Sequence, residues 1–330
     1  MDRRDQQVNV AWFDTEEWEK EYLEEKDLEM EIDFFKQSLN PETAGKASGY
    51  DAVAVFIDSE LDQEVIEDLD ADVVVCRSTG YDHVDMEAAR DQGVTVCNVP
   101  RYGGSTVAEH TFGLILSLSR KIYDAIRKVD KGRFDHEGLR GFDLEGKTLG
   151  VIGTGSIGQN VIQIAKGFGM DVIAYDPYFD KSLEEELGFM YVSMGDLLVK
   201  SDIVSLHCPL TADNRHLLSE EEFDLMDDTM IINTSRGALI DTEALIEALD
   251  DGSVSCAGLD VLEEENYVEE DIEVLSDASD QNLEVLLEDH MLMGRDDVLV
   301  TPHNAFNSIE AMHRIVDTSL DNLRNEENRV

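Results

Sequence analysis

Short apolar runs alternate with segments of helical period along all 330 residues. Runs at 8–13, 52–57, 73–77, 95–98, 148–152, 171–175, 203–206, 230–233, 255–259 and 298–301 are nearly continuous and rich in β-branched residues. That is the pattern of parallel strands covered on both faces. Between them apolar residues recur every three or four positions, as at 105–131, 158–167, 219–225 and 242–249, which predicts helices. Strand and helix in alternation predict an α/β fold with parallel sheets. The strands before about residue 100 make one centre, and the segment from about 148 to 260 makes another. A single long helix over 105–131 is expected to cross between them. Residues 181–188 and 263–297 are acidic and read as surface excursions.

Composition narrows the class. The hydrophobic fraction of 42% supports a sizeable core. The longest apolar stretches, at 52–57 and 73–76, fall far short of the ~20 residues that span a bilayer. The opening Met1-Asp2-Arg3-Arg4-Asp5 lacks the apolar stretch of a secretory signal, so the expected compartment is the cytoplasm. Charge is the unusual feature. Lys and Arg number 26 and Asp and Glu 74, so the formal net charge is 26 − 74 = −48. This argues against nucleic acid and anionic membranes as partners, since both require clustered Lys and Arg. Disorder does not fit, because apolar periodicity continues along the chain and runs of acid reach only three residues, as in Glu184-Glu185-Glu186. So acidic a fold repels itself unless salt screens it. At 1 M salt the Debye length is about 3 Å, so the expectation is a protein adapted to molar salt. Cys76, Cys97, Cys208 and Cys256 form no metal or redox motif and read as core residues in a reducing compartment. No metal site is expected.

One motif points to a cofactor. The strand at 148–152 runs into Gly153-Thr154-Gly155-Ser156-Ile157-Gly158, and a helical period follows at Val161, Ile162 and Ala165. In this context Gly153 permits a tight turn, Gly155 lets backbone approach a pyrophosphate, and Gly158 lets the helix pack on the strand. The helix N-terminus offers free N–H groups to phosphate. A second strand ends in Asp176, 176 − 158 = 18 residues beyond the last glycine. An acid at this distance binds the adenosine ribose and repels a 2′-phosphate, which predicts NAD rather than NADP.

Three further groups sit just past strand ends, where α/β folds bind ligands. They are Arg236 in Asn233-Thr234-Ser235-Arg236, the acids of Asp260-Val261-Leu262-Glu263-Glu264-Glu265, and His303 in Thr301-Pro302-His303. Each has a plainer reading: an Arg paired with a surface acid, a solvated acidic run, a loop histidine. Together they suffice for carbonyl reduction. Arg matches a carboxylate fork, His⁺ protonates a developing alkoxide, and a neighbouring Glu keeps the His charged.

With these residues the chain resembles the D-isomer-specific 2-hydroxyacid dehydrogenases, and most of all their lactate branch. The resemblance rests on Tyr81-Asp-His-Val-Asp85, Asn98-Val-Pro-Arg-Tyr102, Ala108-Glu-His110, the glycine fingerprint, Leu206-His-Cys-Pro-Leu210, and the Arg, Glu and His segments, in that order. It implies two Rossmann-like domains with parallel sheets and a cleft between them for NAD and substrate. The implied substrate domain is discontinuous, 1–104 with 300–330, and 105–299 forms the NAD-binding domain. Arg236, Glu265 and His303 match the catalytic positions, Glu265 being preferred to Glu264 by the Asp-Val-x-Glu-x-Glu pattern. The resemblance further implies a substrate-carboxylate loop at Thr79 and Gly80, with pocket walls at Tyr102, Phe56 and Phe306. Ser156, Ile157, Cys208, Pro209, Thr234, Ser235, Asp260 and Ala305 join the glycines and Asp176 around the cofactor. The gap 303 − 265 = 38 contains an acidic insertion similar to that of the lactate branch but longer. A homodimer or homotetramer formed through 105–131 is expected, with a small 2-keto or 2-hydroxy acid as substrate. Glyoxylate or hydroxypyruvate reduction is the alternative within the enzymes, and an NAD-sensing corepressor the alternative outside them.

Overall fold

The structure is a computed structural model and describes residues 8–263, 280–325 and 328–330. The chain divides into two compact units, Met1–Tyr102 with Ser308–Val330, and Gly103–Asn307.

The first unit is built on five parallel strands: β1 (Val8–Trp12), β2 (Met30–Phe34), β3 (Ala52–Val55), β4 (Val73–Cys76) and β5 (Thr95–Cys97), in the order β2-β1-β3-β4-β5. Side chains alternate between the two faces of a strand. Val10, Trp12, Ala52, Ala54, Val73 and Val75 therefore build one core layer, while Ala11, Phe13, Val53, Val55, Val74 and Cys76 build the other. Helices α1 (Glu17–Glu24), α2 (Gln63–Asp68) and α3 (Met86–Gln92) belong to this unit. β2 was not expected from the pattern. Its sequence Met30-Glu31-Ile32-Asp33-Phe34 alternates apolar with acidic, and as an edge strand it buries only part of its length.

The second unit carries α4 (Gly104–Ser119), α5 (Ile122–Asp130), β6 (Thr148–Ile152), α6 (Ser156–Gly167), β7 (Asp171–Tyr175), α7 (Lys181–Leu187), β8 (Met190–Tyr191), α8 (Met194–Lys200), β9 (Ile203–Leu206), α9 (Glu220–Phe223), β10 (Thr229–Asn233), α10 (Thr242–Asp251), β11 (Val254–Leu259), α11 (Asp280–Met293) and β12 (Val298–Val300). Its seven parallel strands run β12-β11-β10-β9-β6-β7-β8. Two apolar layers cover the sheet, one containing Ile152, Val204, Leu206 and Ile231, the other Leu149, Val151, Ile203 and Ile232. From β6 the chain builds outward to β8, then returns to β9 on the other side of β6. The β6/β9 boundary is thus the topological switch point, where such sheets bind ligands. A last helix, α12 (Ile309–Asn325), returns to the first unit, where Val316, Leu320 and Leu323 cover β1, β3 and β4.

Two expectations need correction. The segment 105–131 is two helices, not one. Lys121 takes a left-handed φ of 53° between α4 and α5, and an apolar period carried across the break cannot reveal that turn. The boundary expected at 300 lies at 307/308. Residues 301–307 stay with the second unit because Asp260 accepts hydrogen bonds from the backbone N–H groups of His303, Asn304 and Ala305.

Candidate active site

The fingerprint loop leaves β6 at the switch point, and each glycine has a physical reason. Gly153 has φ +96°, and a Cβ there would lie 2.7 Å from the His207 carbonyl oxygen, at the end of adjacent β9. A Cβ on Gly158 would lie 2.0 Å from the Gly153 carbonyl oxygen, so α6 packs on the turn only without one. A Cβ on Gly155 would meet nothing within 4 Å, so the face past its Cα is open to a ligand. Ser156 and Ile157 begin α6, and their amides are among the first-turn donors that have no partner within the helix. These features fit a dinucleotide pyrophosphate.

Asp176 follows β7, beside this loop. Its Oδ2 accepts from the Thr154 backbone N–H at 2.8 Å and the Thr154 hydroxyl at 2.9 Å, and its Oδ1 accepts from the Tyr178 N–H at 2.9 Å. Since Thr154 gives its only hydroxyl proton to the carboxylate, Tyr191 donates to Thr154 at 2.8 Å. The sequence held no clear sign of this Tyr191–Thr154–Asp176 chain. It holds the carboxylate in one orientation and leaves Oδ1 with acceptor capacity for a ribose hydroxyl.

Across the switch point, β9 ends in His207-Cys208-Pro209. His207 is buried, and burial pushes its imidazole down to about 3, so it is neutral. Its Nε2 pairs with the Ser205 hydroxyl at 2.8 Å. Burial raises the Cys208 thiol to about 11, so it is no nucleophile. The Cys208 backbone is what faces the next strand: its carbonyl accepts from the Ser235 hydroxyl at 2.5 Å.

Arg236, Asp260 and His303 follow β10, β11 and β12, which are neighbours in the sheet. The Asn233 side chain shapes the Arg236 loop, donating to the Arg236 carbonyl at 2.8 Å and accepting from the Ser235 N–H at 3.0 Å. Thr234 is buried, with its hydroxyl 3.1 Å from that of Thr111 on α4. A Cβ on Gly237 would lie 1.9 Å from the Leu262 carbonyl oxygen, so this glycine lets the Arg236 loop press against the segment after Asp260. Glu263 is not the solvated acid its neighbours suggest. Its side chain is 2% exposed and binds Arg215 at 2.6 Å, His216 at 2.6 Å and the Thr242 hydroxyl at 3.1 Å. Glu264 and Glu265 lie outside the described residues.

The Asp260 carboxylate is buried and accepts from the Thr301 hydroxyl at 2.5 Å, the Asn304 N–H at 2.9 Å and the Ala305 N–H at 2.8 Å. Burial opposes its charge, but the hydrogen bonds from His110, Thr301, Ala305 and Asn304 prevail and hold the carboxyl below its usual value. The Asp260 carbonyl accepts from the His303 N–H at 2.8 Å. His303 itself has φ +44°, a left-handed conformation rare for residues with a side chain. The Phe306 ring lies edge-on to its imidazole at 6.3 Å.

In the first unit, Phe56 and Thr79-Gly80 follow the paired strands β3 and β4. The Phe56 N–H donates to Asp14 at 2.8 Å, and its ring lies 5.2 Å from the Arg77 guanidinium. Arg77 is fully buried, pairs with Glu19 and donates to the Phe13 carbonyl, which anchors the chain entering Thr79. The Thr79 hydroxyl donates to Val99 at 2.9 Å, and its carbonyl accepts from Asn98 at 2.8 Å. Ser78 donates to the Gly80 carbonyl at 2.6 Å. Tyr102 is half-buried, and its carbonyl accepts from Arg314 at 2.8 Å. Among the described residues no group of three or more His, Cys, Asp or Glu is placed to hold a metal ion. No described helix is long and apolar enough to cross a membrane.

Residues 112–305 match the model of the D-isomer-specific 2-hydroxyacid dehydrogenase NAD-binding domain. The chain is 39% identical over 328 residues to D-lactate dehydrogenase of Escherichia coli strain K12, covering 97% of each chain. Among solved structures, the pyruvate reductase of Chlamydomonas reinhardtii is similar with a TM-score of 0.86 at 35% identity, over 97% of this chain and 96% of that one. D-lactate dehydrogenase from Aquifex aeolicus, solved with NAD and lactic acid, has a TM-score of 0.84 at 30% identity, over 98% and 99%. A fingerprint loop that fits a pyrophosphate and likeness over nearly the whole length agree: the chain belongs to the D-isomer-specific 2-hydroxyacid dehydrogenases and is an NAD-dependent oxidoreductase.

Proposed function

We propose that this enzyme reduces pyruvate to D-lactate in a salt-rich cytoplasm. The observation that carries the substrate reading is likeness, over nearly the whole chain, to proteins named for lactate and pyruvate. In this reading Arg236 pairs with the substrate carboxylate, and the backbone N–H groups of Thr79 and Gly80 hold its second oxygen. NADH, when bound, supplies the hydride that reduces the carbonyl carbon. His303 gives its proton to the carbonyl oxygen in the same event, so one hydride and one proton convert the ketone to the alcohol. In the same reading Glu265 is the acid that favours the protonated imidazole before turnover. Tyr102, Phe56 and Phe306 are the apolar residues assigned to contact the substrate. Gly153, Gly155, Ser156, Ile157 and Gly158 receive the pyrophosphate and Asp176 the ribose. Cys208, Pro209, Thr234, Ser235, Asp260 and Ala305 line the rest of the cofactor path. The second unit acts as the NAD-binding domain and the first as the substrate domain.

Four free thiols, with Cys76 pushed up to about 12 by burial, are in keeping with a reducing compartment. The net charge of −48 supports the salt reading. Raising KCl from about 0.1 M to about 1 M shortens the Debye length from about 10 Å to about 3 Å and is expected to raise Tm. A Tm that falls over this range would remove the salt adaptation. A homodimer or homotetramer is supported by α5, where Ile122, Ile126 and Val129 share one face, about half exposed, with Tyr123 beside them. Light scattering that reports a monomer would sink that part.

The deciding assay is the initial rate of NADH oxidation with pyruvate, glyoxylate, hydroxypyruvate and 2-ketobutyrate in high KCl, with chiral analysis of the product. Pyruvate ahead with a D product supports the reading. Glyoxylate or hydroxypyruvate ahead makes the protein a reductase of those acids. No turnover with NADH binding intact points to the sensor.

A further inference from the structure

The Ala108-Glu109-His110 motif has no part in the mechanism above, yet His110 reaches the His303 loop. It lies on the second turn of α4, where Val107, Ala108 and Thr111 are buried. Its Nε2 is 3.1 Å from the Thr301 hydroxyl oxygen and 3.3 Å from Asp260 Oδ1. The protons can be assigned. Thr301 lies 2.5 Å from the Asp260 carboxylate and spends its one hydroxyl proton there. The Thr301 oxygen can therefore only accept from His110, so Nε2 carries a proton shared between Thr301 and Asp260.

The pair that His110 caps fixes the loop after β12. The Asp260 carboxylate takes the Thr301 hydroxyl and the N–H groups of Asn304 and Ala305, while its carbonyl takes the N–H of His303. His303 sits between these ties in its left-handed conformation, φ +44°. Such a conformation persists only where the surroundings over-determine it.

We propose that His110 is a positioning residue for His303, its Nε2–H holding the Thr301–Asp260 pair that sets the loop. The proposal rests on His303 being the proton donor. Without the His110 donor, the Thr301 hydroxyl and the Asp260 carboxylate lose their tie to α4 while the bonds to Asn304 and Ala305 remain, and the loop so loosened can relax toward ordinary φ. The imidazole then leaves its line to the carbonyl oxygen. A displacement of about 1 Å costs on the order of 100-fold in rate, whereas binding of the keto acid through Arg236 is unaffected.

The test compares His110→Leu, which keeps bulk and removes the donor, with His110→Gln, which puts an amide N–H near the place of Nε2. Both are assayed with pyruvate and NADH. The expected result is a kcat about 10- to 100-fold lower for H110L, KM for pyruvate within about threefold of the parent, and H110Q recovering most of the loss. Thr301→Val, which leaves α4 untouched, is expected to reproduce the loss if H110L does not fold. Equal impairment of H110L and H110Q would overturn the proposal, as would a kcat within twofold of the parent in H110L or T301V. So would a loss confined to the KM for NADH. His303→Ala separates the two levels: turnover surviving in that variant removes the assignment of His303, and this proposal with it. A dead H303A beside a fully active H110L removes this proposal alone.

Discussion

Replacing Gly158 by Ala tests the cofactor site at its tightest contact. Alanine is the better helix residue by about 0.8–1.0 kcal/mol, so propensity alone favours the variant. The opposing term is steric. The added Cβ would lie 2.0 Å from the Gly153 carbonyl oxygen, and contacts below 3.0 Å essentially do not occur, so turn and helix must part by about 1 Å. Neither side yields easily. The Gly153 N–H is bound to the Tyr175 carbonyl at 2.9 Å, and α6 is anchored through buried Val161, Ile162 and Ala165. Overpacking of this kind costs roughly 1–3 kcal/mol. It also moves the N-terminus of α6 away from the place proposed for the phosphates, and loss of one or two hydrogen bonds to a charged group, each worth about 1.5–3 kcal/mol, would weaken binding by about 3 kcal/mol. That is on the order of 100-fold in Kd. NADH fluorescence titration reads the affinity directly, and thermal melts with and without NADH read the same loss through linkage. A G158A protein that melts normally and binds NADH within twofold of the parent would refute the placement of the pyrophosphate at this turn.

Asp176→Ser removes the charge proposed to exclude a 2′-phosphate, so the ratio of NADH to NADPH kcat/KM should fall by an order of magnitude or more, and an unchanged ratio would assign the discrimination elsewhere. Glu263→Gln takes the charge from a carboxylate that holds Arg215 and His216, with an expected loss of about 1.5–3 kcal/mol in chemical denaturation; a loss under about 0.5 kcal/mol would mean that the cluster is slack. His207 gives a pH dependence of defined sign. Its folded value is pushed down to about 3, below the ordinary 6.5, so the unfolded chain binds the proton more readily and stability falls as pH drops from about 6.5 toward 3. Relative to His207→Gln, the parent should lose about 2 kcal/mol more between pH 7 and pH 5, and parallel pH profiles would show that His207 takes up its proton as readily in the fold as in the unfolded chain.

The ten strands read from the sequence all lie in the two sheets because they are apolar and β-branched enough to be buried on both faces. The glycine fingerprint was equally legible. Each of its glycines answers a local backbone demand, and local demands are written in consecutive residues. Strand β2 escaped because an edge strand may keep acidic residues, and β8 because two residues carry no period. The break at Lys121 escaped because a left-handed turn needs no glycine when neighbouring helices hold it.

Arg236, the acidic run 260–265 and His303 could be picked out as polar residues after strands, and an Arg, a Glu and a His together suggested a reaction class. Sequence by itself determined those residue types, the cofactor and the α/β class, because each depends on a short stretch of chain. The fold alone decided that the Glu263 side chain is buried. Glu263 is the first of three consecutive glutamates, and the close pass of Gly237 against Leu262 carries the chain to where Glu263 meets Arg215, His216 and Thr242. The fold also decided the partners of Asp176 and Asp260. Tyr191 lies 37 positions from Thr154 and His110 lies 191 from Thr301, and hydrogen bonds over such separations follow from strand order and helix packing, which no local pattern encodes.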